Sequence, residues 1–197
     1  RLPPPSDEKT FPIQEQPNYE WTPEGAFRFR CVRSLPPRAW QNVLTNGRLG
    51  FLATDCGTGN LWYGNARENQ LTPWLCQPYA VSGPETLELE LNGTLHSLFA
   101  HPEDGETSLR YEFGAAIWER RIGGTLVQTT AFIPMDTDAR VLLIRIKGIG
   151  DSASLHWHME LQLSSGRADA RFCRCRFDRD FMIASTPRQM AGAGPFA

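Results

Sequence analysis

The chain has 197 residues, 41% of them hydrophobic, and a formal net charge of −2. This length suffices for one domain with a proper core, and the near-neutral charge gives no reason to expect nucleic acid or an anionic membrane as a partner. No apolar run approaches the roughly 20 residues that a spanning helix needs, so we expect no membrane partner of any kind.

The first 25 residues are rich in proline, which predicts a linker or an arm that lies on another surface. The pattern of a folded core starts next, where the apolar residues between Phe27 and Cys31 alternate with Arg28 and Arg30. An alternation with a period of two is typical of a β-strand.

Eleven further short segments have strand character, and turn residues separate them. They span residues 50–54, 61–63, 86–91, 94–100, 109–113, 116–121, 125–133, 139–147, 154–163, 170–177 and 181–185. Asn92-Gly93 and Gly123-Gly124 lie between alternating runs, as tight hairpin turns do, and Asp104-Gly105 predicts a looser turn. Antiparallel strands without a long amphipathic helix predict an all-β sandwich or barrel over residues 26–187, followed by an unstructured tail at 188–197.

The stretch from Trp40 to Trp74 carries glycines, amides and aromatic residues without a helical period. Its last ten residues, 65–74, read Asn-Ala-Arg-Glu-Asn-Gln-Leu-Thr-Pro-Trp. A polar loop that ends in Thr-Pro-Trp places hydrogen-bonding groups beside a large flat ring. This chemistry is typical of a sugar-facing surface or of a domain interface.

These residues resemble the N-terminal β-sandwich domain of glycoside hydrolase family 94, formerly glycosyltransferase family 36. The family includes the cellobiose and chitobiose phosphorylases and the C-terminal part of cyclic β-1,2-glucan synthases. The matching positions are Trp40, Asn42, Gly57, Gly59, Trp62, Asn65, 67–69 and 71–74. The chain departs from the family pattern at Ala66, where a Ser is usual, and at Cys76-Gln77, where the family has Asn-Asp.

The resemblance implies a two-sheet super-sandwich, the fold of galactose mutarotase-like domains. It also implies a parent enzyme that cleaves β-glucosides or β-linked disaccharides with inorganic phosphate, inverting the anomeric carbon to release α-glucose 1-phosphate, without a cofactor. The general acid and the phosphate site would lie on a separate (α/α)₆ barrel. This domain would pack on the barrel, support a homodimer and form one wall of the active site.

On this reading the chain is most of a non-catalytic N-terminal domain, short of its last strands and inactive alone. The alternative is a free-standing carbohydrate-binding module without an enzymatic partner domain.

Five residues of the motif are predicted to bind substrate or a domain interface: Arg67, Glu68, Asn69, Gln70 and Trp74. The Arg67 guanidinium could meet sugar hydroxyls or a carboxylate, or it could tie the loop to backbone carbonyls. Trp74 follows a proline in a loop and could stack on a pyranose, whereas Trp62 fits core packing better.

No catalytic residue is assigned. A glycosidase-type site needs two carboxyl groups across the glycosidic bond, and nothing in the sequence brings any two of Asp55, Glu68 and Asp136 together. These three are therefore interpreted as solvated acids in loops.

No metal site is assigned either. His156, His158 and Glu160 project from one face of a predicted strand and could in principle bind a metal. We interpret them as the polar face of a strand whose other face, with Leu155 and Trp157, points inward.

The chain has five cysteines, Cys31, Cys56, Cys76, Cys173 and Cys175. An odd count leaves one thiol unpaired in a secreted domain, and no pair has Cys-x-x-Cys spacing. We expect a cytoplasmic location in which the thiols act as small hydrophobic side chains, with a disulfide framework as the alternative.

Overall fold

A computed structural model describes residues 18–31, 39–74, 84–99, 107–150 and 152–187. This part of the chain contains fourteen β-strands and one short 3₁₀-helix at Arg167–Phe172. The strands are β1 Asn18–Trp21, β2 Phe27–Cys31, β3 Gln41–Thr45, β4 Leu49–Thr54, β5 Gly57–Tyr63, β6 Glu85–Leu91, β7 Thr94–Ser97, β8 Thr107–Glu112, β9 Ala115–Ile122, β10 Thr125–Phe132, β11 Val141–Lys147, β12 Ala153–Met159, β13 Arg174–Asp178 and β14 Phe181–Ser185. No helix in these ranges is both long and apolar enough to cross a bilayer.

Six antiparallel strands form the largest sheet, in the order β1-β2-β8-β9-β10-β11. Its inner face is buried, and the register partners Phe29, Leu109 and Trp118 form a row across β2, β8 and β9 on that face. The residues that alternate with them along each strand, such as Arg28 and Arg110, point to the outer face. This alternation is the pattern of an antiparallel sheet that packs on one face only.

The second layer consists of two three-stranded sheets, β3-β4-β5 and β12-β6-β7. Hydrogen bonds cross between the layers: the Trp118 indole donates to the Thr54 carbonyl at 2.9 Å, and the Tyr111 hydroxyl donates to the Ala53 carbonyl at 3.2 Å. A single hydrophobic cluster fills the space between the layers, with residues from both. The predicted all-β super-sandwich is therefore confirmed.

The two predicted tight turns are present where the sequence indicates them. Asn92 and Gly93 connect β6 to β7 with φ angles of 52° and 77°, as a type I′ turn requires. Gly123, with φ of 57°, lies in the β9–β10 turn. The predicted turn at Asp104-Gly105 falls outside the described residues, as do residues 1–17 and the predicted tail at 188–197.

Two strands were not predicted. β1 lies inside the segment predicted as a linker, and β3 follows Trp40 without a clear alternation. β1 forms because all four of its residues pair in register with β2, a contact that local composition does not reveal. The segment 170–177 also differs from its prediction, since its first residues belong to the 3₁₀-helix and only β13 is extended.

The inward orientation predicted for one face of β12 needs a correction. Leu155 and Trp157 share a face with buried Leu89 and Leu87, their cross-strand partners, yet both remain about half exposed. The reason is position: among the described strands, β12 lies at the edge of its sheet and pairs with β6 on one side only.

Candidate functional site

The family-like motif forms a loop over residues 64–74, which we call the motif loop. It begins directly after β5 with a turn organised by Asn65. The Asn65 side-chain oxygen accepts hydrogen bonds from the backbone N–H groups of Arg67 at 2.9 Å and Glu68 at 3.1 Å. Asn is favoured in such turns because its short amide mimics a backbone carbonyl, so Asn65 shapes the loop rather than facing a ligand.

The second half of the motif loop is bonded to β5. The Leu61 N–H donates to the Thr72 hydroxyl at 2.9 Å, and the Asn60 side-chain amide donates to the Thr72 carbonyl at 2.7 Å. The Tyr63 N–H donates to the Asn69 carbonyl at 3.1 Å. Asn60, Asn69 and Thr72 are all buried, so these contacts are shielded from water.

On its other side the motif loop pairs with the segment that follows β12. The Ser164 N–H donates to the Gln70 carbonyl at 3.0 Å, and the Gln162 N–H donates to the Leu71 carbonyl at 2.9 Å. The Gln162 side chain also donates to the Gln70 side chain at 2.8 Å. The backbone of the loop is therefore held from both sides.

The five predicted binding residues divide into two groups. Arg67, Glu68 and Trp74 are exposed, with 91% of the Arg67 side chain and 47% of Trp74 open to solvent. Asn69 is buried and Gln70 is half-buried and bonded to Gln162, so these two hold the loop in place. The loop thus presents a guanidinium, a carboxylate and an indole to solvent on a restrained backbone.

Arg67 and Glu68 form an ion pair with 3.6 Å between Arg67 Nε and Glu68 Oε1. An exposed pair of this kind contributes little to stability, so neither charge is needed to hold the fold. Both remain available to a partner or ligand.

Trp62 has a structural role. Its indole packs over Gly50, where the Cβ of any other residue would lie 2.4 Å from the Trp62 Cζ2 atom. A glycine is therefore required opposite Trp62, and the ring is half-buried.

A charged cluster braces the start of the motif loop, and sequence reasoning missed it. Asp138, from the β10–β11 connection, lies 2.8 Å from Arg48 Nε and accepts a hydrogen bond from the Tyr63 hydroxyl at 3.3 Å. The hydrogen bond from Arg48 lowers the pKa of the Asp138 carboxyl below its usual value. The Arg48 carbonyl in turn accepts the Gly64 N–H at 2.5 Å. Asp138 gave no sequence signal, because it lies 90 residues from Arg48.

The three acids weighed as catalytic candidates lie in three different connections. Asp55 occupies the β4–β5 turn, Glu68 the motif loop and Asp136 the β10–β11 connection. Glu68 and Asp136 are exposed, as predicted, but Asp55 is buried, so its interpretation as a solvated acid is wrong. Burial raises the pKa of Asp55 to about 6. One of its oxygens accepts the Cys56 N–H at 3.0 Å, and the other has no hydrogen-bond partner in the described structure.

A buried ionic network connects the two three-stranded sheets of the second layer. Glu85 accepts hydrogen bonds from Arg140 at 2.5 Å and from the Trp157 indole at 2.7 Å, and it also bonds the Thr58 hydroxyl. The sequence does carry a signal for Glu85, since it occupies the same alternation as the inward-facing Leu87 and Leu89. An acidic residue on the inward-facing side of a strand indicates a buried side chain that needs a charged or hydrogen-bonding partner.

Two members of the predicted polar row, His156 on β12 and Glu160 just after its end, are paired with neighbouring charges. His156 lies 2.9 Å from Glu90, and Glu160 lies 3.1 Å from Arg167. Within the described ranges, no three His, Cys, Asp or Glu side chains are grouped so that they could hold a metal ion.

Comparison with known families gives one match. The family profile described as the glycosyl hydrolase 94 supersandwich domain matches residues 29–191, from β2 to beyond β14 and through the whole motif loop. A search of the curated proteins found no significant match. The family resemblance predicted from the motif is thereby confirmed. Since the matched span covers most of the sequence, the chain belongs to the supersandwich domain family of glycosyl hydrolase 94.

Proposed function

We propose that this chain is the non-catalytic N-terminal domain of an inverting carbohydrate phosphorylase or a cyclic β-glucan synthase-like enzyme. The parent protein would cleave β-glucosides with inorganic phosphate and release α-glucose 1-phosphate. Phosphate and the general acid would lie on an (α/α)₆ barrel. The chain itself would pack on that barrel, contribute to a homodimer and form one wall of the active site.

The motif loop carries this proposal. Its backbone is bonded to β5 on one side and to Gln162 and Ser164 on the other, yet Arg67 and Trp74 are exposed. A restrained loop with exposed Arg and Trp side chains has a low ordering cost when it meets a partner. Arg and Trp are also the residue types that dominate binding energy at interfaces.

The arrangement of acids supports a non-catalytic role. Glycoside cleavage by the chain alone would need an acid and a second carboxylate or a phosphate site on either side of one bond. Asp55 has the raised pKa of a possible general acid, but its side chain is buried under the sandwich surface. We therefore place the chemistry on the barrel.

A cytoplasmic location is part of the proposal. Cys173 and Cys175 are free thiols in the part of the chain that the structure describes. Free thiols that persist in a folded domain fit a reducing compartment.

A second candidate function is a carbohydrate-binding module, and one specific observation favours it. Tyr19, Trp21 and Trp40 surround Phe27 with ring-centroid distances of 6.1, 5.4 and 5.0 Å to the Phe27 ring. All three outer rings are exposed. Exposed, mutually packed aromatic rings can stack on the apolar face of a pyranose.

Binding measurements with two partners separate the candidates. The chain would be titrated with β-glucan oligosaccharides and, separately, with an (α/α)₆ barrel expressed from a family 94 phosphorylase. The first proposal predicts barrel binding that Trp74→Ala weakens and Trp21→Ala leaves unchanged. Glycan binding that Trp21→Ala removes, together with no barrel binding, would instead establish the module.

A further inference from the structure

Strand β12, Ala153–Met159, has one open side. Among the described strands it pairs with β6 alone, in an unbroken antiparallel register over its 7 residues. The Glu160 N–H, one residue beyond the strand, donates to the Pro84 carbonyl beside β6 at 2.7 Å. Because the backbone groups of successive residues point to opposite sides of a strand, the N–H and C=O groups of Leu155 and Trp157 point away from β6, toward the open side.

β12 lacks the features that usually protect an open strand edge. Protected edges are commonly short, or they carry proline or charged side chains, lysine above all. The sequence of β12, Ala-Ser-Leu-His-Trp-His-Met, contains no Pro, Lys, Arg, Asp or Glu. Leu155 and Trp157 lie on one face of the strand and are 50% and 56% exposed. The strand therefore offers both backbone hydrogen-bonding groups and apolar side chains to a partner.

The Trp157 ring is held in place before any partner arrives. Its indole N–H donates to Glu85 Oε1 at 2.7 Å, and Glu85 is itself buried in an ion pair with Arg140. The polar edge of the ring is thus satisfied within the chain, while about half of the residue stays exposed. An ordered side chain has little entropy left to lose on binding, and tryptophan is among the residue types that dominate interface energy.

The apolar face of β12 is complementary to that of a second copy of the strand. Full antiparallel overlap of Ala153–Met159 with the same strand of another copy is centred on His156. In this register Leu155 lies opposite Trp157 of the second copy, and Ala153 lies opposite Met159. Apolar residues directly opposite each other across two strands stabilise the pair, and the twofold symmetry makes each of these contacts occur twice.

The polar face of β12 is charge-balanced in the same register. His156 is the cross-strand partner of Glu88 on β6 and lies 2.9 Å from Glu90. The register brings the two His156 side chains together at its centre, with the Glu88 and Glu90 carboxylates of each copy behind its own imidazole. The carboxylates of the two copies are thus separated by the histidines, so the polar face does not oppose the pairing of the apolar one.

We propose that β12 is a homodimer interface, at which two copies join by antiparallel pairing of their β12 strands about a twofold axis at His156. The sheet β12-β6-β7 of each copy continues across this axis into the same sheet of the other copy. Such a contact is isologous and closed, so it ends at the dimer. The inference specifies the homodimer of the function proposed above and rests on that part of it. Barrel binding by the motif loop is a separate measurement, so either proposal can fail without the other.

Sedimentation analysis of the 197-residue chain over the micromolar range tests the interface. We expect a monomer–dimer equilibrium without larger species. Leu155→Lys should raise the dimer Kd at least about tenfold, because a lysine opposes strand addition and the twofold axis repeats the loss. The matched control is Leu95→Lys on β7, where the leucine is 51% exposed but lies on the far side of β6 from the open edge. It should leave the dimer Kd unchanged.

Disulfide trapping tests the register, in a Cys175→Ser background that removes an exposed native thiol. His156→Cys should form a covalent dimer on mild oxidation, because the axis places its two Cβ atoms about 4.5–5.5 Å apart. Ser154→Cys is the control, since its two copies are offset by about four residues, or roughly 14 Å, beyond the reach of a disulfide. Ser154→Cys mixed with His158→Cys should crosslink again, because these two positions are directly opposite.

The proposal fails on any of three results. A chain that stays monomeric across the micromolar range would remove the interface. A dimer whose Kd is unchanged by Leu155→Lys, or raised equally by Leu95→Lys, would place the contact elsewhere. A dimer in which His156→Cys does not crosslink, or in which Ser154→Cys alone crosslinks as readily, would rule out pairing about His156.

Discussion

The backbone N–H of Leu61 donates to the side-chain hydroxyl of Thr72 at 2.9 Å, and Thr72 is almost fully buried. This bond joins the core strand β5 to the second half of the motif loop. It explains why a threonine stands beside Pro73-Trp74 in the motif: the hydroxyl holds the loop while the indole remains exposed. The motif loop is thus bonded to the core through Thr72 and exposes Trp74 to solvent.

Replacing Thr72 tests this role. Thr72→Val keeps the volume but leaves the Leu61 N–H buried without a partner, which should lower the free energy of unfolding by about 1–3 kcal/mol. Urea denaturation measures the change. The control is Thr94→Val at an exposed position on β7, which should stay within about 0.5 kcal/mol of the wild type. Equal effects of the two variants would mean that the loop is not held by this bond.

The buried Glu85–Arg140 pair should be essential for folding. The two side chains are only 1% and 6% exposed, so Glu85→Gln leaves a buried guanidinium without its counter-charge. Removing one partner of such a pair costs about 3–5 kcal/mol. Glu88→Gln, on the other face of the same strand, is the matched control and should be nearly neutral. Thermal melting compares the two, and a Glu85→Gln variant as stable as the control would contradict the buried pair.

Asp55 should make stability depend on pH. Its pKa in the folded chain is raised from 3.8 to about 6 by burial, so the folded state binds more protons than the unfolded state between these values. The contribution of Asp55 to the free energy of unfolding therefore falls as pH rises from about 4 to 6. The cost of burying the ionised Asp55 carboxyl is fully present at pH 7, where it lowers the free energy of unfolding by roughly 3 kcal/mol.

Asp55→Asn removes the charge and should remove that penalty. We expect the variant to be more stable than the wild type at pH 7 and about equal to it at pH 4, measured by urea denaturation at each pH. A stability difference that is the same at both pH values would show that Asp55 does not titrate in this range.

The exposed apolar face of β12 predicts self-association. Leu155 and Trp157 lie about half exposed on an edge strand, and such edges pair readily with other chains. We expect concentration-dependent association at micromolar concentrations in analytical ultracentrifugation. Leu155→Lys should weaken it, because a lysine on an edge strand opposes strand addition. A monodisperse wild-type chain across this range would contradict the prediction.

Most of the fold could be predicted because its signals are local. The alternation in β2 and β6 and the Asn92-Gly93 turn depend on neighbouring residues alone, and each appears where the sequence indicates it. β1 could not be predicted, since its four residues are extended only because they pair with β2. The proline-rich composition around β1 fits a linker equally well, so composition alone does not reveal this strand.

The candidate site was predictable in position but not in detail. The motif identified the loop, yet sequence alone could not show that Asn69 is buried while Arg67 is exposed. Those positions depend on hydrogen bonds from β5 and from Gln162, which lies 92 residues from its partner Gln70. The interpretation of Asp55 as a solvated acid is wrong for the same reason, since its burial comes from the packing of the two layers.

We propose that Arg67 and Trp74 form a contact surface and are not part of the core. The most direct test is a paired measurement on Trp74→Ala and Arg67→Ala: thermal melting, and affinity for a family 94 (α/α)₆ barrel. We predict an almost unchanged melting temperature together with weaker binding. The loss should be on the order of 1 kcal/mol for the ring and roughly 1.5–3 kcal/mol for the guanidinium. A fall in stability of about 3–5 kcal/mol in Trp74→Ala, the cost of deleting a core aromatic, would contradict the claim, as would binding that neither substitution changes.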